Sequence, residues 1–261
     1  IGEFYNPLGK DNSGRMGWVE FRLRRNKHAL RKLGEEAAPR YVELGARDLL
    51  KERAETIYFV GCNASFFRAL SAVPDSMVHI LEEAGEEFGL MGGDEWCCGY
   101  PLLLAGDLEG FREMALHNVR ELRRRGAERV VFTCAGCYRV FKCFYPWALG
   151  EELQLELLHS SQMLDLLYAQ GRLTPSKLSV EVTYHDPCDI GRHMGIYEEP
   201  RRVLQLAGFR LIEMERSRES GMCCGGGGLL KPANAELSKM IAVRRAEEAA
   251  ATGAKLVVTG C

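Results

Sequence analysis

The sequence has no positive charge to spare: 34 Lys and Arg stand against 36 Asp and Glu, for a formal net charge of −2. That balance lacks the basic footprint of a nucleic-acid binder, so nucleic acid is not expected as a partner. No apolar run reaches the roughly 20 residues that a bilayer-spanning helix needs. No export leader is expected ahead of the first β-rich run. Hydrophobic residues at 46% and charged residues at 27% are ordinary values for a globular chain. The expectation is a cytoplasmic protein. Attachment to the inner face of a membrane through a partner stays open, because it leaves no hydropathy signal.

Cysteine is what the chain does hold, ten in 261 residues. Secreted disulfide scaffolds are far shorter and denser in cysteine, and two adjacent Cys-Cys pairs fit such a framework poorly. Metal or cluster ligation is the better reading of the count. The cysteines also repeat. Cys62 and Cys188 are 126 residues apart, as are Cys97 and Cys223 and again Cys98 and Cys224, while Cys134 and Cys261 are 127 apart. Duplication is the economical explanation.

The surroundings agree. Cys62 follows Ile57-Tyr58-Phe59-Val60, Cys134 follows Val130-Val131-Phe132-Thr133, Cys188 follows Val180-Glu181-Val182-Thr183-Tyr184, and Cys261 follows Leu256-Val257-Val258-Thr259. Such short β-rich runs, alternating with helix-length segments, predict an α/β fold: two tandem, pseudo-two-fold-related βα domains with small parallel sheets. Helices are expected over 108–125, 162–169, 199–207 and 235–251. Asp107 and Asn234 are candidate N-caps, and Gly126 and Gly253 candidate stops. The cysteines then fall at the carboxyl ends of strands, where open α/β sheets place their ligands. The expected boundaries are an arm or linker over 1–55, a first unit over 56–172 and a second over 173–261. A pseudo-two-fold axis would bring both Cys-Cys-Gly loops to one cleft.

The first copy offers Cys62, Cys97, Cys98, Cys134 and Cys137. The second offers Cys188, Cys223, Cys224 and Cys261, and its expected fifth member, at position 264, lies past the last residue, so the second unit reads as truncated within its motif. A Cys-x-x-Cys pair holds either zinc or iron. Zinc takes four ligands, and a cubane 4Fe–4S cluster also needs four, so five cysteines imply a spare or a distorted cluster. Gly99 follows the first Cys-Cys pair, and Gly225 and Gly226 open a run of four glycines after the second. Glycine lets backbone N–H groups approach sulfur and form a nest for negative charge.

The pattern Cys, Cys-Cys-Gly, Cys-x-x-Cys at these spacings resembles the cysteine-rich CCG-domain proteins related to heterodisulfide reductase, and residues 57–261 match it twice. Tyr58-Phe59-Val60-Gly61-Cys62, Trp96-Cys97-Cys98-Gly99, Tyr184-His185-Asp186-Pro187-Cys188 and Cys223-Cys224-Gly225 are similar to motifs of the catalytic subunit, as is Asn6-Pro7-Leu8-Gly9. The resemblance implies one or two non-cubane 4Fe–4S clusters per chain on the two cysteine sets, with Cys98 and Cys224 central to reductive cleavage of a small or protein disulfide. It also implies a ferredoxin-type electron-donor domain or subunit, because no bacterial-ferredoxin cysteine run is present here. A membrane cytochrome b or quinone-linked subunit is a further implied partner. The alternative is an electron-transfer subunit of a glycolate-, lactate- or glycerol-3-phosphate-oxidising complex. A structural zinc scaffold is the reading that five cysteines argue against.

His185, three residues before Cys188, is a candidate proton donor to a leaving thiolate, set against a plain strand-end histidine. His193 has no better case. Cys143 has no counterpart in the second copy and reads as a buried small hydrophobe. His159 reads as a helix-cap partner, and Arg123, Arg124 and Arg125 as a solvated helix end.

Overall fold

The computed structural model describes residues 49–66, 70, 72–176 and 178–261. Most of the expected arm over 1–55, including the Asn6-Pro7-Leu8-Gly9 segment, lies outside these residues.

Strand β1 (Thr56–Phe59) is buried at all four positions. It pairs in parallel with β2 (Phe88–Gly89) on one side and β3 (Arg129–Phe132) on the other, and β3 pairs in parallel with β4 (Glu156–His159). The order is β2-β1-β3-β4. Side chains alternate across a strand, so Ile57, Phe59, Val130 and Phe132 enter one core while Tyr58, Val60 and Val131 enter another. Helices therefore cover both faces, which is why these strands read as continuous apolar runs. Helix α1 (Cys62–Phe66) follows β1, and α2 (Ala72–Glu83) packs Met77, Val78 and Leu81 into the second core. Helix α3 (Tyr100–Ala105) leads into α4 (Leu108–Arg124), whose Phe111, Met114, Ala115, Val119 and Leu122 fill the first. After β3 come α5 (Ala135–Arg139), a π-helical turn (Val140–Phe144) and α6 (Tyr145–Leu149); α7 (Ser160–Ala169) follows β4.

The second unit repeats this plan. Strand β5 (Val180–His185) lies between β6 (Phe209–Leu211) and β7 (Leu256–Thr259), both parallel to it. Helix α8 (Glu198–Leu206) precedes β6, and α9 (Leu230–Ala233) leads into α10 (Ala235–Ala251). The duplication extends to register: Phe59 opposes Phe132 in the first sheet, and His185 opposes Thr259 in the second. It extends to caps as well. Asp107 accepts from the Gly110 amide at 2.9 Å and Asn234 from the Leu237 amide at 3.0 Å, each opening a 17-residue helix. Gly126 and Gly253 stand just past those helices at φ +69° and +73°, as the stop signal requires.

Three differences from expectation have physical causes. β4, with only four residues and a glutamate at its start, gives too short an apolar signal to be told from loop. Arg123 and Arg124 are solvated and ion-paired, but Arg125 is buried and donates to the Lys51 carbonyl at 2.7 Å and to Asp94 at 2.6 Å. Cys143 is exposed in the π-helical turn, its Sγ 3.8 Å from the Met194 Sδ, because the wider turn rotates it off the core face. Among the described residues no helix is long and apolar enough to cross a membrane.

Candidate metal centre

The first cysteine set gathers where β1 and β3 end. Cys97 and Cys98 are 6% and 3% exposed and Cys137 is 3% exposed, while Cys62 and Cys134 are half-buried. The Sγ atoms of Cys62 and Cys97 lie 3.6 Å apart. Cys137 is within hydrogen-bonding reach of both Cys134 and Cys98. A side chain at Gly61 would put its Cβ 3.3 Å from the Cys137 Sγ, so glycine there lets that thiol close on the turn before Cys62. All five expected residues are thus brought together.

A buried polar frame holds the loop. Asn118, on α4, accepts from the Trp96 amide at 3.0 Å and donates to the Cys97 carbonyl and the Tyr145 hydroxyl, each at 3.1 Å. Tyr145 donates onward to the Cys98 carbonyl at 3.1 Å. Glu95 accepts from the Val60 and Gly61 amides, tying the loop to the end of β1. Gly99 adopts φ +79°, and a Cβ there would fall 2.9 Å from the Phe111 ring.

The electrostatics show what such a set lacks on its own. Cys62 and Cys137 are pushed well above the usual thiol range, first by hydrogen bonds to neighbouring thiols and then by burial. A bond from Cys137 lowers Cys98, but the bond to Cys97 and burial outweigh it. Cys134 is lowered, chiefly because Cys137 donates to it. Thiols this close share protons, and several thiolates coexist here only against a positive centre.

The second set stands where β5 and β7 end. Cys188 and Cys224 are half-buried, and Cys223 and Cys261 are exposed. The glycine run behaves as a nest: the Gly225 amide donates to the Cys223 Sγ at 3.3 Å and the Gly226 amide to the Cys224 Sγ at 3.4 Å. Gly225 sits at φ +75°, and a Cβ there would strike the Ser238 carbonyl at 2.6 Å. Burial pushes Cys188 up, and burial followed by the charges of Cys134 and Cys224 pushes Cys261 up to about 12. Among the described residues no group of three or more His, Cys, Asp or Glu side chains is arranged as a site for one metal ion.

The two sets adjoin. His159 at the end of β4 bonds to Gly260, just past β7. Asp189, immediately after Cys188, accepts from Arg139 at 2.8 Å and from Tyr100 at 3.4 Å, both on first-unit helices.

His185 ends β5, and its Nδ1 accepts from the Nε of Arg245 at 2.9 Å. Burial and then the charge of Arg245 hold its pKa at about 4. The ring is therefore neutral at pH 7, with its hydrogen on Nε2. The structure places it against Arg245 on α10.

Asn118 and Tyr145 escaped the sequence reading. The signal for Asn118 was present, since it falls at helical spacing among Phe111, Met114, Ala115, Val119 and Leu122. Nothing in the sequence singles out Tyr145 from its aromatic neighbours.

The CCG family, described as a cysteine-rich domain, matches residues 56–142 and 182–261. The chain belongs to the CCG cysteine-rich domain family. Over its whole length this CCG chain is 34% identical to one component of the dihydromethanophenazine:CoB–CoM heterodisulfide reductase of Methanosarcina barkeri, and it spans 58% of that relative's length. It is 34% identical over 86% of its length to the EtfAB:quinone oxidoreductase of Syntrophomonas wolfei, covering 29% of that protein. It is 32% identical over 79% of its length to the probable iron–sulfur-binding oxidoreductase FadF of Bacillus subtilis, again covering 29%.

Proposed function

We propose that this chain is the disulfide-reducing part of an iron–sulfur oxidoreductase, with one non-cubane 4Fe–4S cluster on each cysteine set. The observation that carries the reading is the meeting of two duplicated sulfur sites at the joined carboxyl ends of two sheets. A disulfide has two sulfurs, and two adjoining sites give each sulfur a place. Cys62, Cys97, Cys98, Cys134 and Cys137 would hold the first cluster; Cys188, Cys223, Cys224 and Cys261 would supply ligands to the second. Such a cluster, when bound, supplies single electrons beside a substrate sulfur.

The rest of the work falls to the chain's own groups. The Gly225 and Gly226 amides offset negative charge on sulfur in the exposed second loop, where a substrate can approach. Asn118, Tyr145 and Glu95 hold the first loop and keep water from its thiols, leaving less to reorganise when charge changes. The reaction consumes two electrons and two protons and returns two thiols from one disulfide. The electrons fit delivery by a ferredoxin-type domain or subunit, a quinone-linked partner agrees with the similarity to the EtfAB:quinone oxidoreductase, and a membrane cytochrome b is a further candidate partner. The disulfide substrate is small or presented by a protein.

The test uses the full-length protein, purified anaerobically and given an artificial one-electron donor with a mixed disulfide. The expected result is consumption of the disulfide, lost on Cys98→Ser or Cys224→Ser. Quinone reduction without disulfide consumption would instead make the chain an electron-transfer subunit, the reading that its similarity to the EtfAB:quinone oxidoreductase favours.

A further inference from the structure

Asp189 belongs to one cysteine motif and lies against the other. It follows Cys188 directly, yet its carboxylate rests over the Cys134–Cys137 turn of the first unit: a Cβ built on Gly136 would stand 3.6 Å from the Asp189 Oδ2. Arg139 and Tyr100 fix it there, through a single Arg139 nitrogen that reaches Asp189 at 2.8 Å and the Tyr100 hydroxyl at 3.0 Å. The Arg139 guanidinium also lies over the Phe144 ring, 5.3 Å from its centroid. Both partners of the ion pair are largely enclosed, at 17% and 19% side-chain exposure, so solvent screens them less than a surface pair. Gly136 is required by the same packing, because its Cβ would also stand 3.1 Å from the Tyr100 ring.

The carboxylate acts on cysteines of both copies. Asp189 is the next residue after Cys188, and its Oδ2 stands over Gly136, between Cys134 and Cys137 of the first motif. One fixed charge therefore disfavours added negative charge at both sites, and Arg139 offsets it.

We propose that the Asp189–Arg139 pair is a shared electrostatic lever that sets the reduction potentials of both cysteine sites together. The inference rests on the reading that each site holds a redox cluster. Asp189 and Arg139 are positioning residues in this scheme: they change how readily each site accepts an electron without touching substrate.

The experiment is a redox titration, followed by electron paramagnetic resonance, of the anaerobically purified full-length protein and its Asp189→Asn, Asp189→Glu and Arg139→Gln variants. A Cys97→Ser variant, which keeps the second site intact, assigns each signal to its site. Asp189→Asn is expected to raise both midpoints and Arg139→Gln to lower both, with Asp189→Glu close to the parent. A tenfold change in a one-electron equilibrium reads as 59 mV. Iron content and circular dichroism of each variant separate this from misfolding, since a merely structural pair would lose iron in both variants without shifting potentials in opposite senses. A shift confined to the Cys188 site, or none, overturns the lever. Absence of iron and acid-labile sulfide from the parent protein overturns the cluster reading itself, and the lever with it.

Discussion

The His159 Nε2 lies 3.1 Å from the carbonyl oxygen of Gly260, 101 residues away in the chain. His159 ends β4 in the first sheet, and Gly260 follows β7 in the second. Its Nδ1 accepts from the Ser161 amide at 3.2 Å, which leaves the hydrogen on Nε2 to donate to Gly260. One fully buried imidazole thus caps α7 and joins the carboxyl ends of the two sheets. Replacing His159 with Phe keeps much of the volume and removes that bond. The expected cost is about 2 kcal/mol, because the Gly260 carbonyl loses its donor. Hydrogen exchange should quicken in 256–261 more than in 129–132; equal protection in both strands would refute the bridge.

Acid should loosen the fold through two histidines. His159 and His185 are each held at a pKa of about 4, chiefly by burial, whereas an unfolded imidazole titrates near 6.5. Between those values the unfolded chain binds more protons, so the stabilisation is fully present above pH 6.5 and is lost as the pH falls toward 4. The measurement is the urea midpoint against pH in the protein and in His159→Gln. The variant should show a shallower fall in that window, by about 1.4 kcal/mol per pH unit for one proton. Parallel profiles would count against this account.

Asn118→Ala should weaken the first site without touching the second. It removes the partners of the Trp96 amide and the Cys97 carbonyl in a buried setting, for about 3 kcal/mol. Iron bound by the first site should drop, while the signal retained by Cys97→Ser stays. Tyr145→Phe removes one link of the same frame and should give a smaller loss in the same direction.

Two glycines separate backbone strain from crowding. Gly99 and Gly106 share a left-handed conformation, at φ +79° and +82°, but only Gly99 faces neighbours, the Phe111 ring at 2.9 Å and the Met114 Cβ at 3.2 Å. Gly106→Ala should cost about 1 kcal/mol. Gly99→Ala should cost about 3 kcal/mol, since overpacking adds to the strain. Thermal unfolding of the two variants decides the matter: equal losses would mean that the ring yields and the close fit is unimportant.

The cluster reading has a direct analytical check. Anaerobically purified full-length protein should contain iron and acid-labile sulfide at about four each per complete motif. Cys62→Ser should remove only the first portion. Zinc at one or two per chain, without sulfide, would sink the reading.

Much of this was legible because it is local or periodic. The offsets of 126 and 127 residues that repeat among the cysteines reappear between the two sheets, where the pair Phe59 and Phe132 corresponds to His185 and Thr259. Asp107 and Asn234 announced their helices, since a cap needs only its own side chain and the next three residues. The glycines after Cys224 announced the nest, since a backbone N–H reaches the sulfur two residues back without help from the rest of the fold.

Other features were not legible, because they depend on which surfaces meet. Cys143 looked like a core residue until the π-helical turn carried it outward. His185 gave no sign that α10 would lay Arg245 against it. The sequence by itself determined the duplicated motif, the strand ends that carry it and the helices between them, all of which rest on spacing and local backbone preference. Only the tertiary structure decided that His159 would meet Gly260 and that Asp189 of one motif would lie on the Cys134–Cys137 turn of the other, because contacts between distant segments are chosen by the packing of whole sheets, and no local signal in the chain encodes them.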